Sequence, residues 1–260
     1  MNQSFDPEKA ARYVFHAHAN RAEYCNLPPE IAPRNVAEAY AAQTALARLL
    51  EPNEGKIAGL KIATTTKVMQ QLMGIEHPCM GAVFASRVHR SPARIAKADF
   101  INLRVECELA VRLGRTLPKG PSPYTRESVR GAISQIMAAF ELIEDRHADY
   151  NSCKALSLIA DNAWNGGIVL GAATLAPAGS DLNGIPGRLR RNGKEELAGT
   201  TDDPLGALAW VANLAAERGQ PLAADMVVIT GSIVPTIDIG VGERLDFAID
   251  GVGEVTMSAT

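Results

Sequence analysis

Glu106 and Glu108 lie two residues apart in the run Ile101-Asn102-Leu103-Arg104-Val105-Glu106-Cys107-Glu108-Leu109-Ala110-Val111-Arg112-Leu113, which reads as a β-strand. Side chains at i and i+2 of a strand share a face, so this segment aims two carboxylates at one place. The flanking Val105, Leu109 and Ala110 argue against a merely solvated face. Like charges held that close either shift their pKa or take up a cation. A third carboxylate, Glu141, sits in a second apolar run, Met137-Ala138-Ala139-Phe140-Glu141-Leu142-Ile143. Three carboxylates on apolar strands suit a hard cation such as Mg²⁺ or Mn²⁺, which takes oxygen ligands and keeps waters that a substrate can displace. The competing reading of Glu106 and Glu108 alone is the polar side of a half-exposed sheet. Glu141 moves the balance toward metal. Glu144, Asp145 and Asp149 fall beyond the apolar run and read as surface residues.

The rest of the chain is consistent with an enzyme domain. Its 260 residues suffice for one large domain, with 47% hydrophobic residues and a net charge of −3. No basic stripe of the kind that binds nucleic acid is present. The one cluster, Arg188, Arg190, Arg191 and Lys194, reads as a solvated turn or hairpin. Cys25, Cys79, Cys107 and Cys153 show no CxxC spacing, which fits a reduced compartment. The opening residues lack a basic stretch followed by an apolar core, and no apolar run approaches a membrane span of about 20 residues. A cytoplasmic protein without membrane contact is expected.

Residues from about Asp6 to Leu50 read as helical, with Asp6-Pro7 as an N-terminal signal and a break at Leu27-Pro28-Pro29. From Gly55 onward short β-rich runs separated by Gly and Pro take over: 57–63, 81–86, 100–113, 138–143 and 164–170. Short helices are expected at 66–73, 126–133 and 154–160, and a longer one at 204–218. Three further strands follow, at 226–230, 244–249 and 254–258. There is no regular βαβ alternation, no GxGxxG and no repeat. The pattern predicts an α+β chain: a helical N-terminal segment (1–54) packed on a β-rich catalytic region (55–260).

Lys61 lies inside the apolar stretch Gly59-Leu60-Lys61-Ile62-Ala63, where burial is costly without a partner. It is either an outward-facing strand lysine or, facing the glutamates, an acid/base group or carboxylate anchor. Asp161-Asn162-Ala163-Trp164-Asn165-Gly166-Gly167 has turn composition, and Thr230-Gly231-Ser232 is either a turn or a set of donors near a ligand. His16, His18, His89 and His147 form no metal set, and His77 precedes Pro78 in a loop.

Taken in order, several motifs resemble those of the 2-keto-4-pentenoate hydratase and 4-oxalocrotonate decarboxylase family, within the fumarylacetoacetate hydrolase superfamily. They are Gly59-Leu60-Lys61-Ile62-Ala63, the stretch from Met73 to Gly81, Arg104-Val105-Glu106-Cys107-Glu108, the stretch from Ala139 to Arg146, Ala160-Asp161-Asn162-Ala163, and Ile229 to Pro235. The resemblance spans nearly the whole chain. It implies a β-rich roll wrapped around a metal, with Glu106, Glu108 and Glu141 as ligands and Lys61 as active-site lysine. Gly81, Asn162 and Ser232 would contact substrate. It also implies Mg²⁺ or Mn²⁺ as cofactor and small 2-oxo or 2-hydroxydienoic acids from aromatic meta-cleavage as substrates. The assembly implied is a homo-oligomer, with a companion pathway enzyme as a further partner. One departure matters. The family's hydratases carry aspartate in a Pro-Asp-(aromatic)-Gly stretch where this chain has Pro78-Cys79-Met80-Gly81. Cys79 could act as a base only with a lowered pKa; otherwise it is a small buried thiol, with His77 the alternative stand-in. Hydration is the leading expectation. The alternatives are decarboxylation of a 2-oxo-3-enedioate and a non-catalytic metal-binding partner subunit.

Overall fold

The computed structural model describes residues 4–260, so the first three residues of the N-terminal stretch discussed above lie outside it. Two helices open the chain, α1 (Pro7–Ala19) and α2 (Val36–Glu54). Asp6 caps α1 by accepting from the N–H groups of Glu8 and Lys9 at 3.0 and 3.1 Å, and Asn35 caps α2 through the N–H of Glu38 at 2.9 Å. Residues 20–35 between them are not helical, a wider break than the proline pair alone predicts.

The strands and remaining helices follow in the order β1 (Ile57–Ala63), α3 (Lys67–Met73), β2 (Cys79–Phe84), β3 (Val88–Arg90), β4 (Ala93–Ile95), β5 (Leu103–Leu113), α4 (Arg126–Arg130), β6 (Ile133–Glu144), α5 (Ala155–Ala160), β7 (Asn165–Leu170) and β8 (Thr174–Leu175). After them come β9 (Pro186–Arg191), β10 (Lys194–Thr200), α6 (Pro204–Glu217), β11 (Val227–Ser232), β12 (Ile237–Asp238), β13 (Arg244–Ile249) and β14 (Gly253–Ala259). Helix α4 stops at Arg130, short of expectation, because Ile133 already pairs with Leu113 in a ladder. The basic cluster lies on the β9–β10 hairpin, and two of its four members are charge-paired, Arg188 with Asp250 at 2.7 Å and Arg191 with Glu243 at 2.5 Å.

A nine-stranded mixed sheet runs β2-β1-β11-β5-β6-β7-β3, with β12 added to β5 and β8 to β6; a five-stranded sheet runs β10-β9-β13-β14-β4. The main core lies between them, where Phe140 of β6 meets Phe247 of β13 with ring centroids 6.2 Å apart. Residues 136, 138, 140 and 142 of β6 point into that core, while Met137 and Ala139 join Ala110, Ile229 and Val83 in a smaller cluster on the opposite face. Burial of β6 on both faces is why its apolar run is nearly continuous. By the same alternation Glu106, Glu108 and Glu141 belong to the smaller face. Helix α2 is tied behind β2: the Tyr40 hydroxyl accepts from the Met80 N–H at 3.0 Å, and Gln43 donates to Met80 O and Ile159 O at 2.8 and 2.9 Å. Among the described residues no helix is long and apolar enough to cross a membrane.

Candidate metal centre and active site

The antiparallel register of β5 and β6 sets Glu106 directly opposite Glu141. Directly opposed residues share a face, and Glu108 joins them by strand periodicity. One carboxylate oxygen from each of the three falls within 4.8 Å of the others. Glu108 and Glu141 are fully buried, and Glu106 is half-buried. Parallel pairing of β1 with β11 places Gly59 beside Val227, which puts Lys61 on the same face. Lys61 is 3% exposed; its Nζ lies 2.9 Å from Glu141 Oε1 and donates to Ala163 O at 3.0 Å. Two of its three N–H groups are thus engaged, leaving one donor for another oxygen.

The charges do not balance. Three carboxylates face one ammonium. Burial raises the carboxyl of Glu108 well above its ordinary value, helped by repulsion from Glu141 and Glu106 and opposed by the Gly231 N–H at 2.7 Å. Burial likewise raises Glu141 to about 7, against the pull of Lys61. Burial alone would lower Lys61, but attraction to Glu141 and Glu106 holds its pKa above the ordinary value. Glu108 Oε1 and Glu141 Oε2 are buried with no hydrogen-bond partner. Unpaired buried carboxylate oxygens are costly, and an all-oxygen donor set of this spacing fits a divalent cation. These residues can hold one.

Glu106 and Lys61 reach the wall of a cavity of about 440 Å³. Its other walls come from residues 62–66, from Met69 and Met73 of α3, from Ile143, Tyr150, Leu158, Ala163 and Trp164, and from residues 232–236. The volume is typical of a small-molecule site.

The fumarylacetoacetate hydrolase C-terminal family model matches residues 70–258. The chain belongs to that family. A 2-hydroxyhexa-2,4-dienoate hydratase from Comamonas testosteroni is 30% identical over 231 residues, covering 86% of each chain. A 2-keto-4-pentenoate hydratase from Paraburkholderia xenovorans is 29% identical over 252 residues, covering 95% of this chain and 93% of the relative. Among solved structures, a 4-oxalocrotonate decarboxylase from Pseudomonas putida G7, complexed with magnesium and adipate, superposes with a TM-score of 0.89 at 23% identity and covers 100% of both chains. The α+β architecture is the fumarylacetoacetate hydrolase type, and the likeness to the decarboxylase structure takes in the N-terminal helices as well.

Within this family member the remaining predicted residues divide. Ser232 lines the cavity, its hydroxyl donating to Val234 O at 2.6 Å. Gly81 sits opposite Lys61 in the β1–β2 ladder, and a Cβ there would lie 2.5 Å from Asn162 O and 3.0 Å from Lys61 Cγ. Its role is to let the lysine and the 162–164 backbone pack together. Asn162 does not line the cavity: its side chain accepts from Ala82 N–H at 2.7 Å and donates to Ala82 O at 2.8 Å, so it staples β2 instead of presenting itself to substrate.

Cys79 is fully buried, and desolvation pushes its thiol up to about 11 against the hydrogen bond with Thr64. The pKa is raised and not lowered, so of the two readings of Cys79 the small buried thiol is the one that fits. His77 Nδ1 lies 2.7 Å from Pro78 O. Neither Cys79 nor His77 is among the residues lining the cavity. The expectation of surface groups fails for Asp145, while Glu144 is half-buried and Asp149 is exposed as expected. Asp145 is 1% exposed and accepts from Asn102, His147 and Tyr150, while Glu144 takes the N–H groups of Ile101 and Asn102.

Some contributors carried no sequence signal. Thr236 donates to Glu106 at 2.5 Å, from a loop 130 residues away. Asn165 donates to Glu141 at 3.1 Å and belongs to the stretch read as turn chemistry. That stretch is a turn of an unusual kind: Asn162, Ala163 and Trp164 all take left-handed backbone, with φ of 51°, 48° and 56°. Such strain persists only where surrounding structure holds it. Here it points the Ala163 carbonyl at Lys61.

Proposed function

We propose that this chain is a divalent-metal-dependent lyase that adds water to a 2-hydroxy-2,4-dienoate or its 2-oxoenoate tautomer, with Mg²⁺ or Mn²⁺ held by Glu106, Glu108 and Glu141. The observation that carries this is the buried three-carboxylate cluster facing a single lysine at the wall of a small-molecule cavity. The names of the relatives support the same reaction class. When bound, the cation supplies positive charge that polarises a 2-oxo acid through its carboxylate and keto oxygens.

The chain's own residues supply the rest. Lys61, kept protonated by Glu141 and Glu106, holds a proton at the cavity wall and has one N–H left for a substrate oxygen. Hydration requires a proton to move from the 2-hydroxyl to the far end of the diene, then water oxygen to bond at C4 while a proton reaches C3. Lys61 is the acid/base group placed to assist, worth about 10²–10⁴-fold if it does. Thr236 and Gly231 fix the rotamers of Glu106 and Glu108, as supporting hydrogen bonds do around metal ligands.

A second reading, decarboxylation of a 2-oxo-3-enedioate, is favoured by one observation: position 79 offers a neutral thiol where the family's hydratases have a carboxylate. The two separate in one assay. Formation of a 4-hydroxy-2-oxo acid without CO₂ supports hydration, and CO₂ release without it supports decarboxylation. The underlying site is tested by titrating Mg²⁺ and oxalate, a planar 2-oxo-acid mimic, into metal-free protein. Oxalate binding that requires metal is expected; absence of both binding events would remove the glutamates from this role.

A further inference from the structure

The cavity beyond the carboxylates is not chemically uniform. Met73, Ile143, Leu158 and Trp164 belong to one contiguous buried cluster, with Met69 and Tyr150 packed against it, and all six line the cavity. Against this apolar wall the cations are scarce. Lys61 is the only lysine, arginine or histidine lining the cavity among the described residues, and its bonds to Glu141 and Ala163 O keep it at the carboxylate end. Arg104 shares the strand face of Glu106, stands opposite Ile143 and is near enough for its charge to act on Tyr150, yet its own side chain does not line the cavity. Its Nε lies 2.9 Å from Asp238 Oδ1, a charge contact without hydrogen-bond alignment. One buried donor on the apolar wall has no partner, the indole Nε1 of Trp164. It is neutral. It can meet an uncharged oxygen but cannot offset the charge of a carboxylate.

Volume points the same way. A cavity of about 440 Å³ lies in the range that encloses drug-sized ligands, so a five-carbon acid anchored at the glutamates would leave room beyond its last carbon. Apolar walls reward filling that room with hydrocarbon.

We infer that the substrate carries an uncharged, mainly hydrocarbon tail beyond the dienoate carbons, seated against Met69, Met73, Ile143, Leu158 and Trp164, and that this site discriminates against a second carboxylate at that end. The inference rests on the reading above, that a 2-oxo or 2-hydroxydienoic acid binds head-first at the glutamates. It adds what the head-group chemistry leaves open, the character of the distal end.

The test compares ligands of equal length on the Mn²⁺-loaded protein by calorimetry, with oxalate and pyruvate as head-group controls. 2-Oxohexanoate ends in a methyl group and 2-oxoadipate in a carboxylate. The expected result is at least tenfold tighter binding of 2-oxohexanoate than of either 2-oxoadipate or pyruvate. Met69→Arg, on a half-buried position of α3, should narrow the gap to 2-oxoadipate to threefold or less. Its fold is checked by circular dichroism, and if it fails to fold the wild-type ligand series still decides. Equal or tighter binding of 2-oxoadipate by the wild type, or no gain of 2-oxohexanoate over pyruvate, overturns the inference. If oxalate binds and the tails make no difference, only the tail inference falls. If oxalate itself fails to bind, the head-group reading falls and takes this one with it.

Discussion

Two buried ionic clusters lie close together in the chain and are built on opposite principles. In the first, Asp161 is answered on both oxygens: Oδ1 lies 2.5 Å from His18 Nε2, and Oδ2 accepts from Arg146, itself 2% exposed and stacked toward the Tyr24 ring at 5.6 Å. In the second, three glutamates face one lysine, and two oxygens have no partner. The first cluster ties α1 and the β6–α5 connection to the turn that follows α5, and its carboxylate is fully paired. The second is destabilising unless something positive enters. In the first cluster both carboxylate oxygens are answered and only Arg146 Nε lacks a partner, whereas in the second the unanswered atoms are the carboxylate oxygens themselves. Ala163 joins them, two residues after Asp161 and bonded through its carbonyl to Lys61.

Asp161→Ala should have the largest effect, a loss of about 3–5 kcal/mol of stability because Arg146 is left buried and unpaired. Urea denaturation would show it, and a loss under about 1 kcal/mol would mean the pair behaves like a surface contact.

The second cluster should show itself in pH dependence. Glu108 and Glu141 bind protons more tightly folded than unfolded, so their contribution is complete below the unfolded carboxyl value of 4.5 and is lost as pH rises, through about 7 for Glu141 and through the raised value of Glu108. Metal-free protein should therefore lose about 2–3 kcal/mol of stability between pH 5 and pH 8 from Glu141 alone, and saturating Mn²⁺ should reverse the trend. A thermal midpoint unchanged or rising over that interval in the absence of metal would contradict the charge imbalance.

Glu108→Gln should weaken Mn²⁺ binding by at least 100-fold, about 2.7 kcal/mol, while stabilising the metal-free protein by about 1–2 kcal/mol at pH 8. Calorimetry paired with thermal melts reads both, and unchanged metal affinity would remove Glu108 from the ligand set. The smallest effect tests the bridge. Ala163→Gly relieves left-handed strain but adds unfolded-chain entropy, for a net gain of about 0.5 kcal/mol. A clear loss of stability would show that the Ala163 methyl is needed for packing.

Much of this was readable from residue order. The glutamate pair, the third glutamate and the apolar-strand lysine announce themselves because charge in an apolar run is expensive, and strand periodicity says which charges share a face. The elements read well where period and capping agree, as at Asp6-Pro7 and in α6. They read poorly where only pairing partners define a strand, as in β3, β4, β9 and β10, whose residues carry little apolar pattern of their own.

Residue order alone supplies the ingredients: an α+β chain, three carboxylates on apolar strands and a lysine that must be paired if buried. That Glu106 stands opposite Glu141 follows from the folded sheet, since register between β5 and β6 is set by the whole sheet and not by either strand. Only the fold could assign Thr236 to Glu106, or show that Cys79 is sealed from the cavity and Asn162 spent on Ala82. Those facts depend on contacts between residues distant in the chain, and burial, which raises both the Cys79 thiol and the carboxyls of Glu108 and Glu141, exists only once the chain has folded.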